Sequence, residues 1–151
     1  MEESKALLGA GCFWGVEETF RKIEGVVDTK VGYAGGNIIN PSYEEVCLSK
    51  TGHAEVLKVE FNSNIISYDE ILEIFWVCHD PTQLNQQGLD IGEQYRSVIF
   101  CYSAEQKKIA TKSKNNFQKT LSKKIVTEII DYVNFYLAED YHQKYIQKKQ
   151  K

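Results

Sequence analysis

Paired cysteines, a run of apolar residues long enough to cross a bilayer and a surplus of basic charge are all missing from this sequence. None of the four cysteines, Cys12, Cys47, Cys78 and Cys101, belongs to a Cys-x-x-Cys pair. A chain of 151 residues builds a core without disulfide staples, so free thiols are expected. The closest Cys and His are the neighbours Cys78 and His79, whose side chains diverge on a helix or a strand, so no metal site is expected. Eighteen Lys and Arg against 21 Asp and Glu leave a net charge of -3. That balance offers no overall field for nucleic acid or an anionic membrane, and neither partner is expected. The opening Met-Glu-Glu-Ser-Lys lacks the basic region, apolar run and small-residue cleavage site of a secretory signal, which makes a cytoplasmic location the expectation. No internal repeat is visible.

What is present suits a globular chain. With 42% hydrophobic and 26% charged residues, whole-chain disorder and fibrous architectures are excluded, and residues 1–151 read as one catalytic domain. Lys5 to Leu8 is a short apolar run leading into Gly9 and Gly11, as for a buried strand entering a turn. Val16 to Ile23 has helical spacing, with Glu17 and Glu18 placed to suit the dipole and Gly25 beyond. Val26 to Tyr33 alternates as a strand, and Ala34 to Tyr43 is a Gly- and Asn-rich loop. Glu55 to Phe61 alternates again, with Glu55 on the side of Leu57 and Val59. Ser67 and Glu70 form a capping-box signal for a helix to about His79, stopped by Pro81. Thr82 to Glu93 reads as a long functional loop, Ser97 to Tyr102 as a strand and Ala104 to Phe117 as a Lys-rich surface helix. Ile125 to Tyr132 reads as a strand and Glu139 to Lys148 as a terminal helix. The order strand, helix, strand, strand, helix, strand is the split βαβ (ferredoxin-like) pattern, a two-layer α+β core with an added C-terminal helix, strand and helix and long loops.

Chemistry concentrates first at Gly11-Cys12-Phe13-Trp14-Gly15. A thiol between glycines at a strand-to-helix turn meets backbone N–H groups and the positive end of the helix dipole, which favour a thiolate. Phe13 and Trp14 beside it suit the lining of a small apolar pocket better than the filling of a core. Cys47, Cys78 and Cys101 read as small buried hydrophobes. His53 and His79 read as structural hydrogen-bonders.

These residues, together with Gly32-Tyr33-Ala34-Gly35-Gly36, Asn40-Pro41-Ser42-Tyr43-Glu44-Glu45-Val46-Cys47, Thr51-Gly52-His53-Ala54-Glu55 and the run from His79-Asp80-Pro81-Thr82-Gln83 through Gln94-Tyr95-Arg96-Ser97, resemble those of the A class of peptide methionine sulfoxide reductases, in order from about Leu8 to His142. The resemblance implies reduction of a methionine S-sulfoxide, free or protein-bound, through a sulfenic acid on Cys12. Such a reaction needs a nucleophile for sulfur, a proton for oxygen and an apolar seat for the methyl group. By resemblance Cys12 is the nucleophile, Glu55 the acid, and Tyr43 and Tyr95 the phenols that hydrogen-bond the sulfoxide oxygen. Phe13 and Trp14 then seat the methyl group, and Asp90 orders hydrogen bonds beside the site. For Glu55 to act as an acid near neutrality it must be buried enough to raise its pKa.

No cofactor is implied beyond an external thiol reductant, glutathione with glutaredoxin or thioredoxin, and the protein is expected to act as a monomer. Many members carry recycling cysteines in a Gly-rich tail, whereas the segment after His142 here has none. Direct reduction of the sulfenic acid by glutathione with glutaredoxin is therefore the first expectation. Two other classes use the same features. A different cysteine enzyme would need a His held by Asn or Asp and an oxyanion hole, and a peptide-binding module would keep the aromatics but tolerate loss of Cys12 and Glu55.

Overall fold

In the computed structural model, which describes residues 3–47 and 51–149, the dominant element is a six-stranded sheet. Its strands are β1 (Glu3–Ala10), β2 (Val26–Ala34), β3 (Ala54–Asn62), β6 (Ser97–Cys101), β7 (Glu128–Asp131) and β8 (Tyr136–Leu137). They lie in the order β7-β6-β1-β3-β2-β8, and every neighbouring pair is antiparallel except β6 with β7. A two-stranded ribbon, β4 (Gln86–Gln87) and β5 (Asp90–Ile91), stands apart from it. The helices are α1 (Phe13–Arg21), α2 (Tyr43–Cys47), α3 (Tyr68–Cys78), α4 (Ala104–Gln118) and α5 (Tyr145–Lys149). The fold is thus a mixed one, with helices packed on a mostly antiparallel sheet.

The strands alternate as their sequences do. On β3, Glu55, Leu57, Val59 and Phe61 are buried while Lys58 and Glu60 are only partly covered. Leu57, Val59 and Phe61 join Leu8, Val31 and Ile99 in a core covered by Phe13, Val16 and Phe20 of α1 and by Ile71, Leu72, Phe75 and Trp76 of α3. The opposite sheet face carries a smaller cluster of Leu7, Ala34, Ala54, Val56, Val98 and Phe100, against which Tyr102, Ile130 and Phe135 pack. The Ser67 capping box forms in full, with the hydroxyl accepting from Glu70 N–H at 3.1 Å and the Glu70 carboxylate accepting from Ser67 N–H at 3.0 Å.

Antiparallel pairing has a consequence for function. The end of β1, the end of β2, the start of β3 and the start of β6 all lie at one edge of the sheet, because Tyr33 pairs with Glu55 and Ala10 with Ser97. Cys12 follows β1, Glu55 opens β3, and Tyr95 precedes β6.

Four sequence expectations change. Helix α1 begins at Phe13 rather than Val16, which puts Glu17 and Glu18 beyond its first turn. Glu17 is buried instead, accepting from Thr29 Oγ1 at 2.7 Å and from Lys144 N–H at 2.6 Å, so it ties helix to sheet. Helix α2 starts where the loop expected over Ala34 to Tyr43 ends, while the loop expected over Thr82 to Glu93 contains the ribbon and runs into a short 3-10 helix at Glu93–Tyr95. The strand expected at Ile125 starts at Glu128. The terminal helix expected over Glu139 to Lys148 is a 3-10 turn at Asp140–His142 followed by α5, with Lys144 between them at φ 53°. There Glu139, His142 and Gln143 direct their side chains at other elements, and that competes with a continuous helix.

Replacing Ser67 by Ala removes one side of the capping box and should lower stability by about 1 kcal/mol. In urea unfolding this appears as a lower midpoint with an unchanged slope.

Candidate active site

Cys12 caps the start of α1 without taking helical geometry. Gly11 makes that turn at φ +94°, and an added Cβ there would come within 2.8 Å of Gln87 Cγ, so the position demands glycine on both counts. The thiol is half-buried. Burial pushes it up to about 11, with the Glu55 and Asp90 carboxylates acting the same way, while the nearby backbone N–H groups of Trp14 and Gly15 pull it down. The expected effect of the helix start is therefore present but outweighed. The resting site holds a thiol rather than the thiolate that the turn alone favours, because desolvation disfavours the charged form.

Glu55 lies at the head of β3, 1% exposed. Its Oε1 accepts from Phe13 N–H at 3.2 Å, and Oε2 is buried with no hydrogen-bond partner. Burial raises the carboxyl from an ordinary 4.5 to about 8, opposed by the Phe13 N–H and helped by Asp90. At neutral pH the group is thus mostly protonated, with one oxygen free to carry the proton. A buried acid held by the N–H of Phe13, the residue next to the thiol, is what proton delivery beside a nucleophile requires.

Tyr43 and Tyr95 approach from two other elements. The Tyr43 ring stacks with Phe13 and Trp14, each at 6.4 Å between centroids, and its hydroxyl bonds the Cys47 thiol. Burial raises Tyr43 well above the ordinary phenol value and Tyr95 to about 12, and both feel the Glu55 charge. Tyr95 also feels Cys47, Asp90 and Cys12. Both phenols are neutral donors near pH 7. Asp90 is exposed on the β4–β5 ribbon, and its charge reaches Cys12, Glu55 and Tyr95. All seven residues singled out by resemblance therefore come together at one sheet edge: Phe13 buried, Trp14 half-buried, and the others around them.

The other three cysteines separate. Cys101 is buried in β6 and Cys78 half-buried at the end of α3, donating to its own Phe75 carbonyl at 3.3 Å. Cys47 is not the core residue expected of it. It is exposed, with Tyr43 and Gln94 bonding its sulfur. His53 bridges Gly36 N–H and the Ile38 carbonyl, and His79 bridges the Phe75 carbonyl and the Ser97 hydroxyl, so both are structural as expected. Burial lowers His79 to about 4.

Sequence reading passed over Tyr33 and Glu139. Tyr33 is fully buried and donates to Glu139 Oε1 at 2.9 Å, while Glu139 Oε2 accepts from Tyr43 N–H at 2.9 Å. Glu139 was hidden inside an expected helix, and only the conflict between a helical stretch and the Asp-Tyr-His polar run could have flagged it. A surface cleft of about 770 Å³ lies between the starts of α3 and α4 and has neither cysteine nor histidine in its lining.

Residues 4–151 match the model of the family described as peptide methionine sulfoxide reductase. The peptide methionine sulfoxide reductase MsrA of Methanothermobacter thermautotrophicus is 53% identical over 146 residues, covering 95% of this chain and 86% of that one. Among solved structures, Mxr1 from Saccharomyces cerevisiae in reduced form superposes with a TM-score of 0.95 at 40% identity, covering 99% of this chain and 87% of that one. Mxr1 in complex with Trx2 gives a TM-score of 0.69 at 32% identity, over 95% and 85% of the two chains.

The raised pKa of Glu55 makes a prediction about stability. Its folded value, about 8, lies above the ordinary 4.5, so across that window the folded chain keeps a proton that the unfolded chain has released. Stability falls with rising pH over the window and the loss is complete above it. Glu55→Gln cannot titrate. Its stability relative to the wild type should therefore climb from about pH 4.5 to about pH 8 and then level off, as read from denaturant midpoints at each pH. A constant difference would mean that Glu55 is ionised in the fold.

Proposed function

The chain belongs to the peptide methionine sulfoxide reductase family, and on that premise we propose the route by which it reduces methionine sulfoxide. The observation that carries it is the pairing of a half-buried thiol with a buried, proton-holding carboxyl joined through the first N–H of α1. Cys12 sulfur attacks the sulfoxide sulfur while Glu55 passes its proton to the sulfoxide oxygen. The thiol proton replaces the one that Glu55 gives up. The hydroxyl then passes from the substrate sulfur to the Cys12 sulfur as the bond between the two sulfurs breaks, so the sulfide leaves, Cys12 becomes a sulfenic acid and two electrons have moved from the cysteine to the substrate. Tyr43 and Tyr95 hydrogen-bond the oxygen as it gains charge, at the position of an oxyanion donor. Phe13 and Trp14 seat the methyl group, and Asp90, exposed at the rim, orders the polar side of the site. Because methyl and oxygen are held separately, one epimer at sulfur, the S form, presents its sulfur to Cys12.

The same reading describes residues 1–151 as one catalytic domain on a split βαβ core, working as a monomer in the cytoplasm. The order β6-β1-β3-β2, with α1 and α3 on the connections between strands, supports that core. The four free thiols suit a reducing compartment.

For the reductant, the complex of Mxr1 with Trx2 favours a thioredoxin over the glutathione and glutaredoxin route. Closing the cycle takes two electrons from a dithiol. One thiol attacks the Cys12 sulfenic sulfur and releases water, and the second breaks the mixed disulfide.

Cys12→Ser should abolish sulfoxide reduction with the fold retained, since a hydroxyl is a far weaker nucleophile at similar size. Glu55→Gln should cost roughly a hundredfold or more in rate, more than Tyr43→Phe or Tyr95→Phe, because either phenol leaves the other in place. The wild-type rate should fall as pH rises through about 8, where Glu55 loses its proton, and Glu55→Gln should lose that limb. Turnover by Cys12→Ser near the wild-type rate would overturn the mechanism.

Recycling is tested by adding substrate without reductant, then counting thiols and weighing the intact protein. One thiol lost with one oxygen gained, trapped by dimedone, is the expected outcome. Two thiols lost with no oxygen gained would show an internal disulfide, and peptide mapping would name the partner of Cys12.

A further inference from the structure

The β4–β5 ribbon has two residues on each strand, too few to be stable alone, and apolar burial does not hold it. Leu84, Leu89 and Ile91 are all exposed, Leu89 at 99%. Polar side chains hold it instead. Gln83 Oε1 accepts from Gly88 N–H at 2.8 Å within the loop, and the Gln87 amide reaches outside it to the backbone of Asp80. There Gln87 Oε1 accepts from Asp80 N–H at 2.9 Å and Nε2 donates to the Asp80 carbonyl at 2.5 Å. Asp80 is a firm anchor close after α3. Its carboxylate accepts from Thr82 N–H at 3.0 Å and from Thr82 Oγ1 at 2.6 Å, and the neighbouring Pro81 carbonyl accepts from Val126 N–H at 2.8 Å.

Gln87 also packs on the turn that presents the thiol. Its Cγ and Cβ lie 2.8 and 3.0 Å from where a Cβ on Gly11 would stand. Directly across the ribbon from Gln87 is Asp90, and cross-strand partners carry their side chains on one face of the pair. The face that meets Gly11 therefore also carries Asp90. This explains how a residue exposed to solvent still acts through its charge on Cys12, Glu55 and Tyr95. Cys12, Tyr33, Tyr43, Cys47 and Tyr95 feel Glu55 as well. All five are neutral near pH 7, so the charge acting on the acid is that of Asp90.

We propose that Gln87 is a positioning residue for the reaction: by clamping the Asp80 backbone and seating its stem on Gly11, it holds Asp90 facing Cys12 and Glu55. This role rests on the functional reading above, in which Asp90 orders the polar side of the site. Gln87 acts through Asp90 and takes no part in the proton or sulfur chemistry.

The test compares wild type, Gln87→Met, which keeps the stem on Gly11 but has no amide, Asp90→Ala, and the double variant. Each is assayed with methionine sulfoxide under dithiothreitol across the falling limb near pH 8. Hydrogen exchange of the Asp80 amide, which is bonded to Gln87 Oε1, is followed alongside. Gln87→Met should lower kcat/KM about tenfold, the scale of one hydrogen bond to a charged group. The limb should move to lower pH, because a carboxyl ionises more easily once a neighbouring negative charge moves away. Asp90→Ala should do both at least as strongly. In the Asp90→Ala background, Gln87→Met should lower kcat/KM by less than about twofold more and leave the limb where Asp90→Ala put it. The Asp80 amide should exchange more slowly in the wild type than in Gln87→Met.

Equal losses from Gln87→Met in the two backgrounds would show that Gln87 acts independently of Asp90, and that result overturns the proposal. A merely structural role would lower the active fraction, and hence kcat, with the limb left at the wild-type pH, and that overturns it too. The exchange measurement needs no variant to fold: a wild-type Asp80 amide that exchanges at the rate of a free peptide means that the clamp is absent, which also overturns it. Rate and limb both untouched by Asp90→Ala would overturn the functional reading of Asp90 itself, an outcome distinct from an Asp90 that matters whatever stands at position 87.

Discussion

Keeping a carboxylate charged out of water costs several kcal/mol unless it is fully paired, and Glu55 receives only one N–H, that of Phe13. The group therefore holds its proton to about pH 8. Much of the site depends on that. With Glu55 neutral, the main carboxylate acting against ionisation of Cys12 is silenced near pH 7, leaving burial as the chief brake on the thiol and Asp90 as a weaker one. The same N–H that bonds Glu55 opens α1, so the acid, the nucleophile and the aromatic wall share a single short stretch of backbone. A shift of β3 by one residue would turn Glu55 to the opposite sheet face and leave that N–H without a partner.

Around this centre the fold acts as a gathering device. Four antiparallel strands present alternating ends at one edge, so residues far apart in sequence, Cys12, Tyr43, Glu55 and Tyr95, arrive without long excursions of chain. The C-terminal brace then fixes the parts the sheet does not reach. Glu139 holds the start of α2, and with it Tyr43; Lys144 N–H and Thr29 hold the buried Glu17 of α1. Buried polar groups of this kind contribute when every partner is present and are costly when one is lost. Damage to this brace would accordingly be felt first as loose walls of the site, not as a lost core.

Alternation on β3, the capping box of α3 and the glycines around Cys12 act over a few residues and depend on little beyond them. For that reason the sequence by itself determined the strand carrying Glu55, the side it faces, the turn that presents the thiol and, through the ordered motif blocks, the family. What it could not determine were quantities summed over the whole surroundings of a group. The helix-start amides argue for a thiolate at Cys12, yet burial, helped by the Asp90 carboxylate brought in by another element, outweighs them. Cys47 looks like a core residue beside Val46, yet its five-residue helix leaves it exposed. Glu139 and His142 fit a helical pattern, but their partners on β2, α1 and α2 lie about a hundred or more residues away. Only the tertiary structure decided which local preference gave way there, because desolvation and long-range hydrogen bonds are set by what packs against a residue and not by what precedes it.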